Sequence, residues 1–508
     1  MDNFDSYALF LLVVIPMAGA VVVMLIPGAL KQQIRWVSSA FALSALLVSF
    51  YVFWAYDHEA GGFQFQRTWD WLAMPGTGPL SDKAITLALG IDGIAAPMIL
   101  LTGIVMFTGV LISWKIADRN KEFFILYQLL LSGVFGVFVS LDLFFFFFFY
   151  ELAVLPMYLL IGVWGSSSEF PTFSRAKEYG AMKLMIFLVA GSVLIWIAIM
   201  AIFVESGIGS FNLLELQNVT FSDNFQRVFF PFLMVGFGVL AGLWPFHTWS
   251  PDGHVAAPTA VSMVHAGVLM KLGAFGIIRV GILLMPEGAQ DWMPVLIGLG
   301  TVNVLYGAWS ALGQTDLKYV IGYSSVSHMG YVLMGIATLN SLGVTGAVLQ
   351  MLSHGLMTAL FFAVVGVVYD KTHTRDINVL EGLSKRMGFT AVLFAIAGFA
   401  SLGLPGLSGF VAELLVFLGL FQTYPILGVL GIIGAAITAV YILRLMAKVF
   451  FGPLGERWQD ETDASGLERF STLILAGFIL LVGLFPFPFI RVINTGVLEI
   501  LQKFPEAG

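Results

Sequence analysis

Four charged residues sit inside long apolar stretches of this sequence. Glu151 lies in FYELAVLPMYLL, Lys183 in EYGAMKLMIFL, Lys271 in HAGVLMKLGAFGIIR and Glu413 in LPGLSGFVAELLVFL. An ionisable group within a membrane span costs at least about 2.5–3.5 kcal/mol, so each is a functional candidate by default. A lysine or a glutamate held out of water exchanges its proton near neutral pH, which a solvated one does not. Lys271 and Glu413 have apolar neighbours for several turns on both sides. Lys183, and Arg444 with Lys448, stand near span ends, where a long side chain reaches the interface.

The histidines follow the same pattern. Ser324, His328 and Tyr331 share one helix face, and Gln350, His354 and Thr358 form a polar stripe at intervals of four. His265 follows Ser262 by three residues, and His247 and His254 flank a Trp244-Pro245 break. Groups that both donate and accept near physiological pH, set on several spans, are what a proton wire needs. Two other readings stay open: haem ligation, which no repeated His pair at a common spacing favours, and simple structural or subunit-contact residues.

Such residues need a membrane scaffold, and the composition supplies one. Hydrophobic residues make up 59% of the 508 and charged residues 11%, too apolar for a chain that must cover itself in water. A cytosolic enzyme, a nucleic-acid binder and a disordered scaffold are excluded. There is no cysteine, so no disulfide, thiolate-bound cluster or cysteine nucleophile resides in this chain. The N-terminus is acidic before its apolar run, which predicts a retained first helix instead of a cleaved signal.

The expected fold is an all-α polytopic membrane protein of about fourteen transmembrane helices, in one transmembrane domain over 1–508. The spans are read at 7–27, 34–56, 92–114, 122–140, 143–164, 178–204, 228–249, 256–284, 292–311, 318–338, 342–370, 388–421, 425–450 and 470–500. The run Phe144 to Phe149 is read as lipid-facing or packing bulk. Lys and Arg in alternate loops number fifteen against five, which puts both termini outside the cytoplasm. The loop 57–90, rich in Gly and Pro, reads as an irregular external cap.

Spans seven and twelve are broken, at Trp244-Pro245 and at Gly403-Leu404-Pro405-Gly406. Unwound backbone at membrane depth is tolerated only where it is buried in protein or lines a wet cavity. The breaks allow spans four to eight (122–284) and nine to thirteen (292–452) to be superposed as two five-helix repeats. An odd number of helices makes the second inverted, a pattern of transporters.

Several strings resemble the antiporter-like M-type subunit of respiratory complex I, the proton-pumping NADH:quinone oxidoreductase. They are FFFYELAVLPMYLLIGVWG, PFHTWSPDGHVAAPTAVSMVHAGVLMKLGAFGIIR, DLKYVIGYSSVSHMGYV, HGLMTALFF and LPGLSGFVAELLVF. The resemblance covers nearly the whole chain and implies fourteen helices, inverted repeats and broken helices seven and twelve. It implies proton movement coupled to quinone reduction elsewhere in the complex. By motif, Glu151 matches the helix-five glutamate, Lys271 the central lysine, His328 and His354 the connecting histidines, and Glu413 the terminal glutamate.

One position departs: the helix-seven lysine of the family is Leu240 here. That leaves Glu151 without its expected partner. His265, a feature more like the L-type paralogue, or Lys183 is the expected substitute base. The resemblance further implies no cofactor or metal in this chain, with NADH, FMN, iron–sulfur clusters and quinone in partner subunits. Other membrane subunits, antiporter-like paralogues among them, and lipid are the expected partners, in a bacterial cell (inner) membrane. The alternative is a cation/proton antiporter subunit without redox coupling.

Overall fold

The computed structural model describes residues 2–74, 83–169 and 174–504. Among these, thirteen helices are long and apolar enough to cross a membrane. They are Phe4–Leu25, Lys31–Ala55, Ala95–Lys115, Asn120–Val139, Leu143–Trp164, Lys177–Ser206, Asp223–Ala256, Thr259–Ile282, Pro286–Gly313, Leu317–Ala337, Ser341–Thr372, Pro425–Val449 and Gly466–Leu484. Two shorter apolar helices, Gly388–Ser401 and Ser408–Thr423, lie between the eleventh and twelfth of these. Counted as one broken span, they are span twelve and bring the total among the described residues to fourteen. Span numbers below follow this order.

Local chemistry explains where the helices begin. Asp142 separates spans four and five and caps the latter, accepting from the N–H groups of Phe144 (2.9 Å) and Phe145 (3.2 Å). Asp316 caps span ten in the same way, from Lys318 and Tyr319. Prolines open spans nine and thirteen, where the missing N–H is not needed.

Both expected breaks are present. Helix ends at Ala241, Gly242 takes a left-handed conformation, and α-helix resumes at Trp249. Asn303 of span nine satisfies the freed backbone groups, donating to the Gly242 carbonyl at 2.8 Å and accepting from the Trp244 N–H. The second break runs from Leu402 to Leu407.

A backbone motif occurs twice. The Leu143 N–H donates to the Phe211 carbonyl and the Leu213 N–H to that of Leu141. The Leu317 N–H donates to the Arg375 carbonyl and the Ile377 N–H to that of Thr315. In each case the loop before the second helix of a five-span set bridges to the loop after its third helix.

Two expectations need correction. The loop 57–90 is not irregular: Gln64–Met74 (β1) and Lys83–Ile91 (β2) pair as an antiparallel hairpin. Its alternation, as in Ala84-Ile85-Thr86-Leu87, is the period-two pattern of a strand. Pro75, Gly76, Gly78 and Pro79 lie outside the described residues. The last span, read as 470–500, is two helices, Gly466–Leu484 and Phe487–Leu501, because Pro486 interrupts the first. A second, two-residue hairpin joins Ser168–Glu169 to Ser174–Arg175.

Spans three, eight, ten and eleven form the centre, with almost every residue of their apolar windows buried, while spans one, two, six, thirteen and fourteen keep exposed faces. The phenylalanine run divides: Phe145, Phe146 and Phe149 are buried and Phe148 is exposed.

Candidate proton-conducting axis

Spans eight, ten, eleven and twelve bring four of the expected residues into one row. Lys271 (span eight) holds its Nζ 2.8 Å from Nδ1 of His354 (span eleven). The His354 ring stacks on that of His328 (span ten), centroids 5.5 Å apart. Nδ1 of His328 stands 3.4 Å from Oε1 of Glu413 (span twelve). All four side chains are buried.

The order is therefore Lys271, His354, His328, Glu413. The order expected from the sequence is Lys271, His328, His354, Glu413; in the structure the two histidines exchange places. Span eleven packs directly on span eight and presents His354 to it, while span ten reaches span twelve. Sequence order is not spatial order in a bundle.

Helix geometry is adjusted around Lys271. The segment His265–Leu269 is π-helical, as is Ile277–Ile282, and Lys271 turns back to donate to the Ala266 carbonyl. Such segments are rare and are frequent at functional sites. Gly273 lets spans seven and eight touch; a Cβ there would stand 2.4 Å from the Phe237 carbonyl oxygen.

Hydrogen bonds fix the far end. Nε2 of His328 is 2.8 Å from the Ser401 hydroxyl, and Nδ1 is 3.3 Å from Nε2 of Gln350. Thr358 folds its hydroxyl back onto the His354 carbonyl. Ser324 accepts from Tyr441 at 2.7 Å, and Tyr331 donates to the Gly431 carbonyl. Glu413 rises from the second turn after the break. Gly403, with φ +65°, leaves room for it: a Cβ there would meet Oε2 at 2.8 Å.

Glu151 is half-buried and faces the Ser192 hydroxyl. Among the described residues no basic nitrogen forms an ion pair with it. The two expected substitutes are engaged elsewhere. Lys183 donates to Asp252 at 2.8 Å, and His265 packs against His254 and Trp249. Lys183 lies in the first half of span six and Glu151 in the first half of span five, and these successive spans enter the membrane from opposite sides. Leu240 is fully buried in apolar surroundings.

Three sets of residues were not singled out by sequence. Asp252, in the second half of broken span seven, gathers Lys183, Arg175 and Tyr319; the last donates at 2.8 Å. Arg279 and Asp92 form an ion pair with both side chains buried. Lys318, buried at the start of span ten, donates to the Ala257 carbonyl at 2.7 Å. Asp252 stands in the polar string S-P-D-G-H just after the break, which is the signal that would have found it.

Comparison with known proteins gives the family. The transmembrane family described as NADH:quinone oxidoreductase/Mrp antiporter matches residues 140–438. The chain belongs to this family. It is 38% identical over 488 residues to the NAD(P)H-quinone oxidoreductase chain 4 2 of Thermosynechococcus vestitus, covering 94% of this chain and 89% of that one. Respiratory complex I from Thermus thermophilus with bound NADH contains a chain that superposes with a TM-score of 0.86 at 26% identity, over 98% of this chain and 99% of that one. A chain of the Mrp complex from Dietzia sp. DQ12-45-1b superposes at 0.83 with 18% identity, over 99% and 98% of the two chains. At that identity the likeness concerns the fold alone. All four residues of the row lie within the matched stretch, residues 140–438 of this chain.

Proposed function

We propose that this chain is the proton-translocating, antiporter-like M-type subunit of a complex I type NADH:quinone oxidoreductase. The observation that carries the reading is the buried row Lys271–His354–His328–Glu413. Lysine and glutamate are the terminal holders, and the two imidazoles pass a proton between them, with ring rotation or a bridging water across the 5.5 Å stack. Redox chemistry belongs to partner subunits, which hold NADH, FMN, iron–sulfur clusters and quinone. The work of quinone reduction reaches this chain as a change in the charge facing one end of the row.

The repeats 122–284 and 292–452 are read as inverted copies. The doubled backbone bridges at Leu141–Leu213 and Thr315–Ile377 support this, since successive spans put them on opposite sides of the membrane. The excess of basic residues in alternate loops supports an inner membrane location with both termini outside the cytoplasm.

Purification from the native membrane through a tag on this chain tests the assignment. Co-purifying flavin and iron–sulfur subunits, with NADH-driven proton uptake into vesicles, is the expected result. An assembly of membrane subunits alone, exchanging cations for protons without NADH, supports the antiporter alternative instead.

A further inference from the structure

The row does not use the second histidine cluster. His254, in the second half of span seven, and His265, in span eight, lie with ring centroids 4.1 Å apart, both fully buried. Trp249 and Phe362 wall them. Nε2 of His254 is 3.0 Å from the Ser250 hydroxyl. The other three ring nitrogens, Nδ1 of His254 and both of His265, have no partner among the described residues. A buried polar group without a partner costs about 1–3 kcal/mol, so two apolar side chains would pack better here. Imidazole chemistry at this point needs another reason.

The surroundings supply one. On one side is a cavity of about 270 Å³ lined by Ser113, Lys115, Asp370, Ala257 and Lys318. It opens where spans three and eleven end and spans eight and ten begin, the side richer in basic residues. Lys318 Nζ stands 3.5 Å from the Ser262 hydroxyl, which itself donates to the His254 carbonyl at 2.8 Å. On the other side, Lys271 turns its ammonium onto the carbonyl of Ala266, the residue next to His265. Among the described residues, the titratable groups that face the pair are Lys271, Lys318 and, towards His254, His354.

We propose that His254 and His265 form a single proton-holding station between the cavity at Lys318 and Lys271. The inference rests on the reading of the Lys271–Glu413 row as a proton path. One proton enters on a free ring nitrogen of one imidazole, and one leaves from the pair to the neutral amine of Lys271. Two imidazolium rings this close repel strongly, so the station holds one charge at a time. It refills Lys271 after that residue has discharged along the row, and its occupancy blocks a second proton from the cavity.

The test uses the assembled complex in vesicles and reads protons moved per NADH oxidised. His265→Phe keeps the ring volume and removes both nitrogens; His265→Gln keeps hydrogen bonding but holds no proton. Both are expected to lower the ratio at least about threefold. Full pumping in His265→Phe, or recovery of pumping in His265→Gln, overturns the station and leaves only a packing role. Ser250→Ala, which frees the one bonded nitrogen, is expected to shift the pH profile of pumping; an unchanged profile counts against the station even where the His265 variants fail to assemble. Glu413→Gln in parallel separates the two readings. If it pumps normally, the row itself is wrong; if it alone is defective, only the station is wrong.

Discussion

Nδ1 of His354 lies 2.8 Å from Nζ of Lys271, although the two are 83 residues apart in the chain. The contact links the first five-helix set to the second through span eleven. Among the described residues, His354 is the side chain hydrogen-bonded to the Lys271 amine, and it is the next member of the row. Among the described residues, the other hydrogen bond of the ammonium goes to the Ala266 carbonyl, which does not carry a proton onward.

This contact makes Lys271→Arg informative. Guanidinium keeps a positive charge but does not release its proton. Assembly is expected to survive and pumping to fall by at least about tenfold, equal to about 1.4 kcal/mol or more on the transfer step. Proton uptake by vesicles during NADH oxidation checks it. Wild-type pumping with Arg in place would mean that Lys271 only sets a field.

Asp252 ties span six, the 174–175 strand and span ten together through Lys183, Arg175 and Tyr319. Asp252→Asn should destabilise the folded subunit by on the order of 2 kcal/mol. A fully buried pair loses about 3–5 kcal/mol, but Arg175 is 37% exposed and solvent screens its share. Lys183→Met should cost less, since Arg175 and Tyr319 remain. Thermal unfolding of the detergent-solubilised complex gives both values, and equal midpoints for wild type and Asp252→Asn would refute a stabilising role for Asp252.

Asp142 gives a pH dependence. It lies between spans four and five, and burial pushes its carboxyl up to about 6, against the pull of the Phe145 and Phe144 N–H groups. Its folded value exceeds the unfolded one near 3.9. Stability from this group is thus full below about 4 and is lost as pH rises through about 6, by roughly 2–3 kcal/mol. Asparagine caps a helix as well as aspartate does and does not ionise. Asp142→Asn should be as stable as wild type at pH 4 and more stable at pH 8. A wild-type advantage that grows from pH 4 to pH 8 would show that the charged cap stabilises.

Much of this arrangement was legible in the sequence. Spans with twenty apolar residues, the lone Asp142 between two of them, and the prolines at both breaks carry their own physical signal. The types of Lys271, His328, His354 and Glu413 also announced the row. Their order did not, because it depends on how spans eight, ten and eleven pack, and apolar spans of equal length carry no address. The surroundings of Glu151 were misjudged for a related reason. Lys183 is near it in sequence, yet the two enter the membrane from opposite ends, and Asp252 captures the lysine first. The pairing of 64–74 with 83–91 was hidden because the glycines and prolines of this stretch outweigh the short period-two alternation in composition. The shared burial of His254 and His265 depends on how the second half of span seven packs beside span eight, which periodicity does not encode.

The central claim is that the row ending at Glu413 carries protons, and Glu413→Gln tests it most directly. Glutamine keeps the size and the contact 3.4 Å from His328 but neither gains nor gives up a proton. The measurement is the number of protons moved per NADH oxidised by the purified complex in sealed vesicles, beside the assembled wild type. The account predicts a fully assembled complex whose proton-to-electron ratio drops by at least about tenfold. An assembled Glu413→Gln complex with the wild-type ratio would contradict it.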